Sequence, residues 1–177
     1  MALVHCVFLK VWSDGALNIF IRQISDEDCR DIHEWRNDVT TRQMSLNGDT
    51  VDYEHHRSWF SKVLSSDEHV GLVGEINYEK IGIVHFREHE KQTFVSINLN
   101  PIFRGKGLSS TFLAKSLEFY LIKHFHITHF LAEIKCDNIK SERIFKNNNF
   151  VFVSNNDGVN MFRRVNIINK GGKNVRN

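Results

Sequence analysis

NPIFRGKGLSSTF, residues 100–112, holds the chain's single proline, two glycines one residue apart and two cations, Arg104 and Lys106. An apolar, β-branched run, TFVSINL (93–99), leads into it, and a long helical pattern leads out. A strand therefore turns into a helix across backbone that is partly bare and flanked by positive charge. A helix N-terminus exposes unpaired N–H groups and a partial positive charge, which makes it an anion site. Glycine lets the backbone approach a ligand closely, and Arg104 and Lys106 add formal charge. The stretch reads as a seat for phosphates, set against the plainer reading of a turn with two solvated cations. It lacks the GKS or GKT ending of a P-loop and the third glycine of GxGxxG, so neither nucleotide motif applies.

The surrounding pattern gives the frame. NIFIRQI (18–24) reads as a strand, and Ser25 caps a helix in which Cys29, Ile32 and Trp35 recur at helical spacing. NDVTTRQMSLNGDT (37–50) reads as a polar segment with a turn at Asn47-Gly48. A second helix is expected from Thr50 or Asp52, burying Tyr53, His56, Phe60, Val63 and Leu64. Strands over 69–76, 80–88 and 93–99 have short connections and should pair antiparallel. After the glycine loop come a helix burying Leu108, Phe112, Leu113, Leu117, Tyr120 and Leu121, a strand over 129–135, and a short helix within DNIKSERIFKNN (137–148). Strands near 150–153 and 159–165, joined by SNNDG (154–158), complete the order. The fold class is α/β, a mixed and mostly antiparallel central sheet flanked by helices.

Composition limits the function. The 177 residues suit one domain, with 41% apolar and 25% charged side chains, as in a soluble globular protein. A net charge of +2 argues against a nucleic-acid binder. Cys6, Cys29 and Cys136 form neither a disulfide framework nor a CxxC pair, so a reducing, cytoplasmic setting is expected. Ten histidines show no HExxH-type spacing, and no metal site is expected. VHCVFLKVW (4–12) is short and broken by Lys10, so neither a signal peptide nor a membrane span is expected. Residues 1–17 read as an extension, 18–166 as the domain and 167–177 as a flexible basic tail.

RGKGLS (104–109) resembles the Q/R-x-x-G-x-G/A pyrophosphate loop of the GNAT acetyl-CoA-dependent N-acetyltransferases. DNIKSERIFKNNNF (137–150) is similar to that family's second signature, NxxSxxxYxxxGF, with Asn138, Ser141 and Phe150 in register. The element order from residue 18 to about 165 resembles the GNAT fold as well. The sequence departs from the family in three places. Ser109 stands where glycine or alanine is usual, Asn149 replaces a glycine and should take a left-handed conformation, and Phe145 replaces a tyrosine that often protonates the departing thiolate.

The resemblance implies acetyl-CoA as co-substrate. Its pyrophosphate would lie on the N–H groups and cations of Arg104, Gly105, Lys106, Gly107, Leu108 and Ser109. Ile97, Asn98 and Leu99 would pair with the pantetheine arm, one of their N–H groups polarising the thioester carbonyl. Asn138 and Ser141 would seat the arm, although Asn138 also reads as a plain N-cap, and Phe145 would wall the thiol end. A phenylalanine donates no proton, so a thiol of pKa ~8.5 would leave as thiolate or be protonated by water. Tyr53, Tyr78 and Tyr120 are the other tyrosines.

An amine acceptor must lose a proton before it attacks. Glu133 in FLAEIK is the favoured base, because a carboxylate buried on a central strand would have its pKa raised. The alternative for Glu133 is a structural ion pair. His85 is the second candidate, with a satisfied core histidine as its plainer reading. For the acceptor, EWRNDVTTRQMS (34–45) and EHHRSWFSKVL (54–64) resemble the GNAT enzymes of nonulosonic-acid synthesis, which acetylate the 4-amino group of a UDP-linked amino sugar. That implies Arg36, Asn37, Arg42, His55 and Trp59 as substrate-binding residues, with Arg57 adding charge and Trp35 and Phe60 better read as core. The partner expected is thus a small-molecule amine, a nucleotide sugar, with no nucleic acid or membrane. A homodimer is left open. The rivals are a ribosomal-protein-type N-terminal acetyltransferase and a non-catalytic acetyl-CoA-binding module.

Overall fold

A computed structural model of the protein describes residues 18–90 and 92–166; the extension over 1–17 and the tail over 167–177 lie outside the described residues. The elements, in chain order, are β1 (Phe20–Gln23), α1 (Cys29–Asn37, entered by a 3-10 turn at Asp26–Asp28), α2 (Val39–Met44), α3 (Tyr53–Leu64), β2 (His69–Ile76), β3 (Glu79–His89) and β4 (Gln92–Leu99). After a 3-10 turn at Pro101–Phe103 follow α4 (Ser109–Lys123), β5 (His129–Lys135), α5 (Ile139–Lys146), β6 (Val151–Asn156) and β7 (Val159–Val165).

The strands form one seven-stranded sheet in the order β1-β2-β3-β4-β5-β7-β6. Every neighbouring pair is antiparallel except β4 and β5. The parallel pair is short: Thr93 lies opposite Phe130 and Phe94 opposite Leu131, and the pairing ends there.

Local chemistry accounts for most boundaries. The Asp52 carboxylate accepts the His55 N–H at 2.9 Å and starts α3. Asn77 and Tyr78, both at positive φ, turn β2 into β3; Asp157 and Gly158 do the same for β6 and β7. Positive φ at both central residues is what tight hairpin turns require. The main core gathers Leu72, Ile81, Val84 and Phe86 of the central hairpin with Phe112, Leu113 and Leu117 of α4 and Phe130 and Phe162 beyond. A side chain at Gly74 would meet the Phe112 ring at 2.5 Å, so that glycine is what lets α4 lie close on β2. A second cluster joins Cys29, Ile32 and Trp35 of α1 to Phe60 of α3 and Ile83 of β3.

The structure corrects the expected pattern in several places. Residues 39–44, read as part of a polar connection, are the helix α2; the Asp38 carboxylate caps it by accepting the Thr41 N–H at 3.0 Å. Leu64 ends α3 and is 36% exposed rather than core, while Tyr53 and Leu121 are only half-buried. β6 extends through Asn156, so only Asp157 and Gly158 of SNNDG form the turn. Among the described residues no helix is long and apolar enough to cross a membrane.

Candidate active site

Where β4 parts from β5, β4 stays paired to β3 alone. The edge of Val95–Leu99 that faces β5 therefore carries backbone groups with no strand partner among the described residues. It borders a cavity of about 250 Å³. Into this cavity come His85 and Arg87 from β3, Ser96 and Ile97 from β4, Glu133 from β5, and Asn138, Ser141 and Phe145 from the start and body of α5. Met44, Ser45 and Leu46 close it from the end of α2.

The glycine loop stands beside the unpaired end of β4. Gly105 and Gly107 both hold φ +75°, a conformation that L side chains avoid, and a Cβ at either would have nothing within 4 Å. The first bond of α4 runs from the Phe112 N–H to the Leu108 carbonyl at 2.9 Å. Leu108 at the cap position offers no side-chain acceptor, so the amides of Ser109–Thr111 meet no cap. Bare backbone at positive φ, open space above it and uncapped amides together fit a pyrophosphate, and the unpaired β4 edge fits an arm that adds as a strand.

The cations of the loop behave differently from one another. Lys106 is exposed, its Nζ 4.6 Å from the centre of the Phe103 ring. Arg104, expected to face phosphates, is instead engaged by α2: it donates to the Asp38 carboxylate and to Thr41 Oγ1, each at 2.6 Å. Thr41 Oγ1 in turn donates to Asn98 Oδ1 at 3.2 Å. Burial would raise the Asp38 carboxyl, but the Thr41 N–H and the Arg104 guanidinium outweigh it and hold it below the ordinary range. On the far side of the cavity Lys135 Nζ donates to the Gln43 carbonyl at 2.9 Å, and Asn138 Nδ2 to the Met44 carbonyl at 3.3 Å. The α2 segment is thus tied to the loop and β4 on one side and to β5 and α5 on the other. Asn138 also caps α5, its Oδ1 accepting the Ser141 N–H at 3.1 Å.

Glu133 lines the cavity but is exposed, its carboxylate with no hydrogen bond or ion pair to another described residue. Burial was the reason for reading it as the base, and that burial is missing: Phe130, Ala132 and Ile134 face the core while Glu133 faces the opening. His85 is half-buried. Burial, and after it the nearby His69 and Arg87, push its pKa down to about 4. Phe145 is 2% exposed and meets Phe150 edge-to-face at 4.9 Å while its ring still lines the cavity. None of the three tyrosines lines it. Tyr120 donates to Glu88 at 2.8 Å between Phe86 and His124, with burial first and Glu88 second raising its pKa. Tyr78 is 98% exposed in its hairpin turn, and Tyr53 packs edge-on to His33.

The expected acceptor residues do not all converge. Trp59 meets His85 edge-on, ring centres 6.0 Å apart, but does not itself line the cavity. Arg36 and Arg42 donate to the carbonyls of Asn47 and Gly48, bracing the loop after α2. Asn37 is structural, because its amide donates to the Val51 carbonyl at 2.7 Å and accepts the Val51 N–H at 2.9 Å. His55 is exposed near Asp52, and Arg57 pairs with Glu54. Trp35 and Phe60 are core. Asp38, Thr41, His69, Arg87 and Asn148 carry no motif that singles them out in the sequence, yet all five are engaged here, Asn148 tying the end of α5 to Ser110 of α4. For His69 a signal existed, since a hairpin turn at 77–78 brings residues near 70 opposite residues near 86.

A family model described as an acetyltransferase (GNAT) domain matches residues 18–151. No curated protein matches the chain by sequence. Among solved structures, spermidine N-acetyltransferase from Vibrio cholerae in complex with CoA and spermine is similar with a TM-score of 0.72 and 17% identity, over 82% of this chain and 92% of that one. A domain from Methanocaldococcus jannaschii is similar at 0.70 and 20% identity, over 84% and 98%. Ribosomal-protein-alanine N-acetyltransferase from Brucella melitensis is similar at 0.67 and 19% identity, over 82% and 99%. At these identities the likeness is one of fold.

Proposed function

The chain belongs to the GNAT acetyltransferase family, an N-acetyltransferase with acetyl-CoA as co-substrate, and we propose that its acceptor is the 4-amino group of a UDP-linked amino sugar. The observation that carries this choice is the charge around the cleft. Arg42, Arg87 and Lys135 line the cavity and the grooves beside it, against Glu133 and Asp157. A polyamine acceptor needs several carboxylates to hold its cations, whereas a diphosphate is attracted by a surplus of positive groups. Trp59, 39% exposed and in contact with His85, is the aromatic side chain for a sugar or uracil to stack on.

The chain's own groups then have these tasks. The amides at the start of α4, with Lys106, hold the pyrophosphate. The free edge of β4 aligns the arm, and an N–H of that edge stabilises charge developing on the thioester oxygen. Glu133, an exposed and unpaired carboxylate, holds the incoming ammonium. His85, neutral and deeper in the cavity, takes the proton that the amine must lose. Phe145 excludes water from the sulfur without supplying a proton, so the thiolate leaves unassisted by a side chain.

Release of free CoA from acetyl-CoA, followed with a UDP-linked 4-amino sugar, spermidine and a peptide with a free N-terminus, tests the reading. The expected order has the sugar nucleotide highest in kcat/KM. A preference for spermidine or for the peptide overturns the acceptor assignment, and no CoA release with any amine leaves only a binding module.

A further inference from the structure

We propose that His69 is the outlet for the acceptor's proton, acting through His85 as the second imidazole of a relay from the cavity to solvent. The proposal rests on the reading that the amine reacts in this cavity. The register of β2 on β3 puts Gly71 opposite His85 and His69 opposite Arg87, so His69 stands diagonally beside His85 on the same sheet face. The two rings stack with centres 5.2 Å apart and 24° between their planes. His69 Nδ1 and His85 Nε2 are 3.2 Å apart, a hydrogen bond. That bond occupies Nε2 of His85 and leaves Nδ1 as the nitrogen with no described partner. His69 is half-buried and reaches solvent.

The other groups around His85 are of mixed kind. Trp59 meets it edge-on from α3, with His56 packed against Trp59 behind. Arg87 lies two residues on in β3 with its guanidinium over Phe94, and Glu133 lines the same cavity from β5. No carboxylate is bonded to either histidine among the described residues, and His69 is the one described group hydrogen-bonded to the His85 ring.

The steps balance. The N–H bond of the ammonium breaks, its electron pair stays on the amine nitrogen, and the proton passes to His85 Nδ1. His85 gives its Nε2 proton to His69 Nδ1, and His69 gives its Nε2 proton to water. The starting tautomers return when, in the emptied cavity, solvent protonates His69 Nε2, His69 Nδ1 hands its proton back to His85 Nε2, and water takes the Nδ1 proton of His85. A relay is needed because His85, with its pKa near 4, cannot keep a proton taken from an amine. It can only pass the proton on, and the bulk pH then sets how far the transfer goes.

His69→Phe keeps a stacked ring and removes both nitrogens. With acetyl-CoA and a UDP-linked 4-amino sugar at pH 7, we expect kcat to fall at least tenfold while KM for acetyl-CoA stays within twofold. The deficit should shrink as pH rises past the amine's own pKa, and added imidazole should restore part of the rate. A loss that is independent of pH and not rescued by imidazole, or no loss at all, overturns the relay. Nitrogen-15 NMR of the imidazoles decides the same point without any acceptor. His85 should carry its proton on Nε2 in the wild type and lose that tautomer preference in His69→Phe; an unchanged His85 spectrum overturns the proposal. Absence of turnover in the wild type would instead count against the sugar nucleotide, leaving the spectra to judge the relay.

Discussion

Glu133 and His85 were both legible as titratable groups on strands, but alternation along a strand says only which side a residue takes. FLAEIK put Glu133 opposite Phe130, Ala132 and Ile134, and the structure keeps that facing. What sequence could not supply was the parting of β4 from β5, which opens that side to solvent instead of burying it. We therefore expect Glu133→Gln to raise KM for the amine about tenfold or more, the scale of a charge-assisted contact, and to lower kcat less. Steady-state kinetics with acetyl-CoA saturating measure this, and a fall in kcat alone would return the role of base to Glu133. At Phe145 one oxygen is missing from the family pattern. Phe145→Tyr adds a hydroxyl to a residue that lines the cavity, so the group has space on one side. The expected result is a folded enzyme with kcat equal to or above wild type. A loss beyond about tenfold, ~1.4 kcal/mol, would mean that the edge-to-face packing on Phe150 tolerates no oxygen.

Elements were legible wherever one face is apolar at a regular period, as in α1, α3, α4 and the β2–β3–β4 meander. α2 was not, because its stability comes from elsewhere in the chain. VTTRQM is short and partly β-branched, and its cap, Asp38, is held by Arg104, 66 positions away. Arg104 reads as a phosphate cation in the sequence for the same reason, since Asp38 and Thr41, its partners, lie more than 60 positions away. The detailed β2–β3 register was hidden by a bulge at Gly74/Glu75 that shifts the pairing after the turn. The glycine loop, in contrast, announced itself, since two glycines at φ +75° can be replaced only with strain. Gly107→Ala should cost about 1–2 kcal/mol of stability from the left-handed backbone alone. Gly107→Trp should carry a similar stability cost, because its Cβ meets open space. The indole would then fill the volume above the α4 amides, and calorimetry should find acetyl-CoA affinity reduced at least tenfold in a protein that still folds. Unchanged affinity would remove the pyrophosphate from this loop.

At the scale of the molecule, the N-terminal helices are joined to the sheet by a charge cluster. Asp28 is wholly buried and meets Arg22 of β1 at 2.7 Å and Lys80 of β3 at 2.8 Å; Arg22 also reaches Glu75 and Lys80 reaches Asp31. Burial acts to raise the Asp28 carboxyl, but Arg22, Lys80 and the Ser25 N–H outweigh it and hold it well below the ordinary carboxylate range. Three histidines shift downward, each chiefly through burial: His56, His85 and His124. Both kinds of shift have the same sign for stability. A group with a depressed folded pKa is protonated first in the unfolded chain, so acid favours unfolding throughout the interval between its two pKa values. For His85 that interval runs from the unfolded value of ~6.5 down to about 4. For Asp28 it begins near ~3.9 and continues below. We therefore expect Tm to fall in two stages, a shallow one between pH 6.5 and 4 and a steeper one below pH 4. His85→Asn, which does not titrate, should make the first stage shallower, leaving the share of His56 and His124, and should leave the second unchanged. Asp28→Asn should lower stability near neutral pH by about 1–3 kcal/mol, because Arg22 and Lys80 lose the buried carboxylate between them while keeping Glu75 and Asp31, and should remove most of the second stage. Should that variant not fold, Lys80→Met, which leaves Arg22 on Asp28, should weaken the second stage without abolishing it. A Tm that stays level from pH 6.5 to 4.5 in the wild type would show that His85 is not held neutral by burial, and would remove the reason it needs an outlet for its proton.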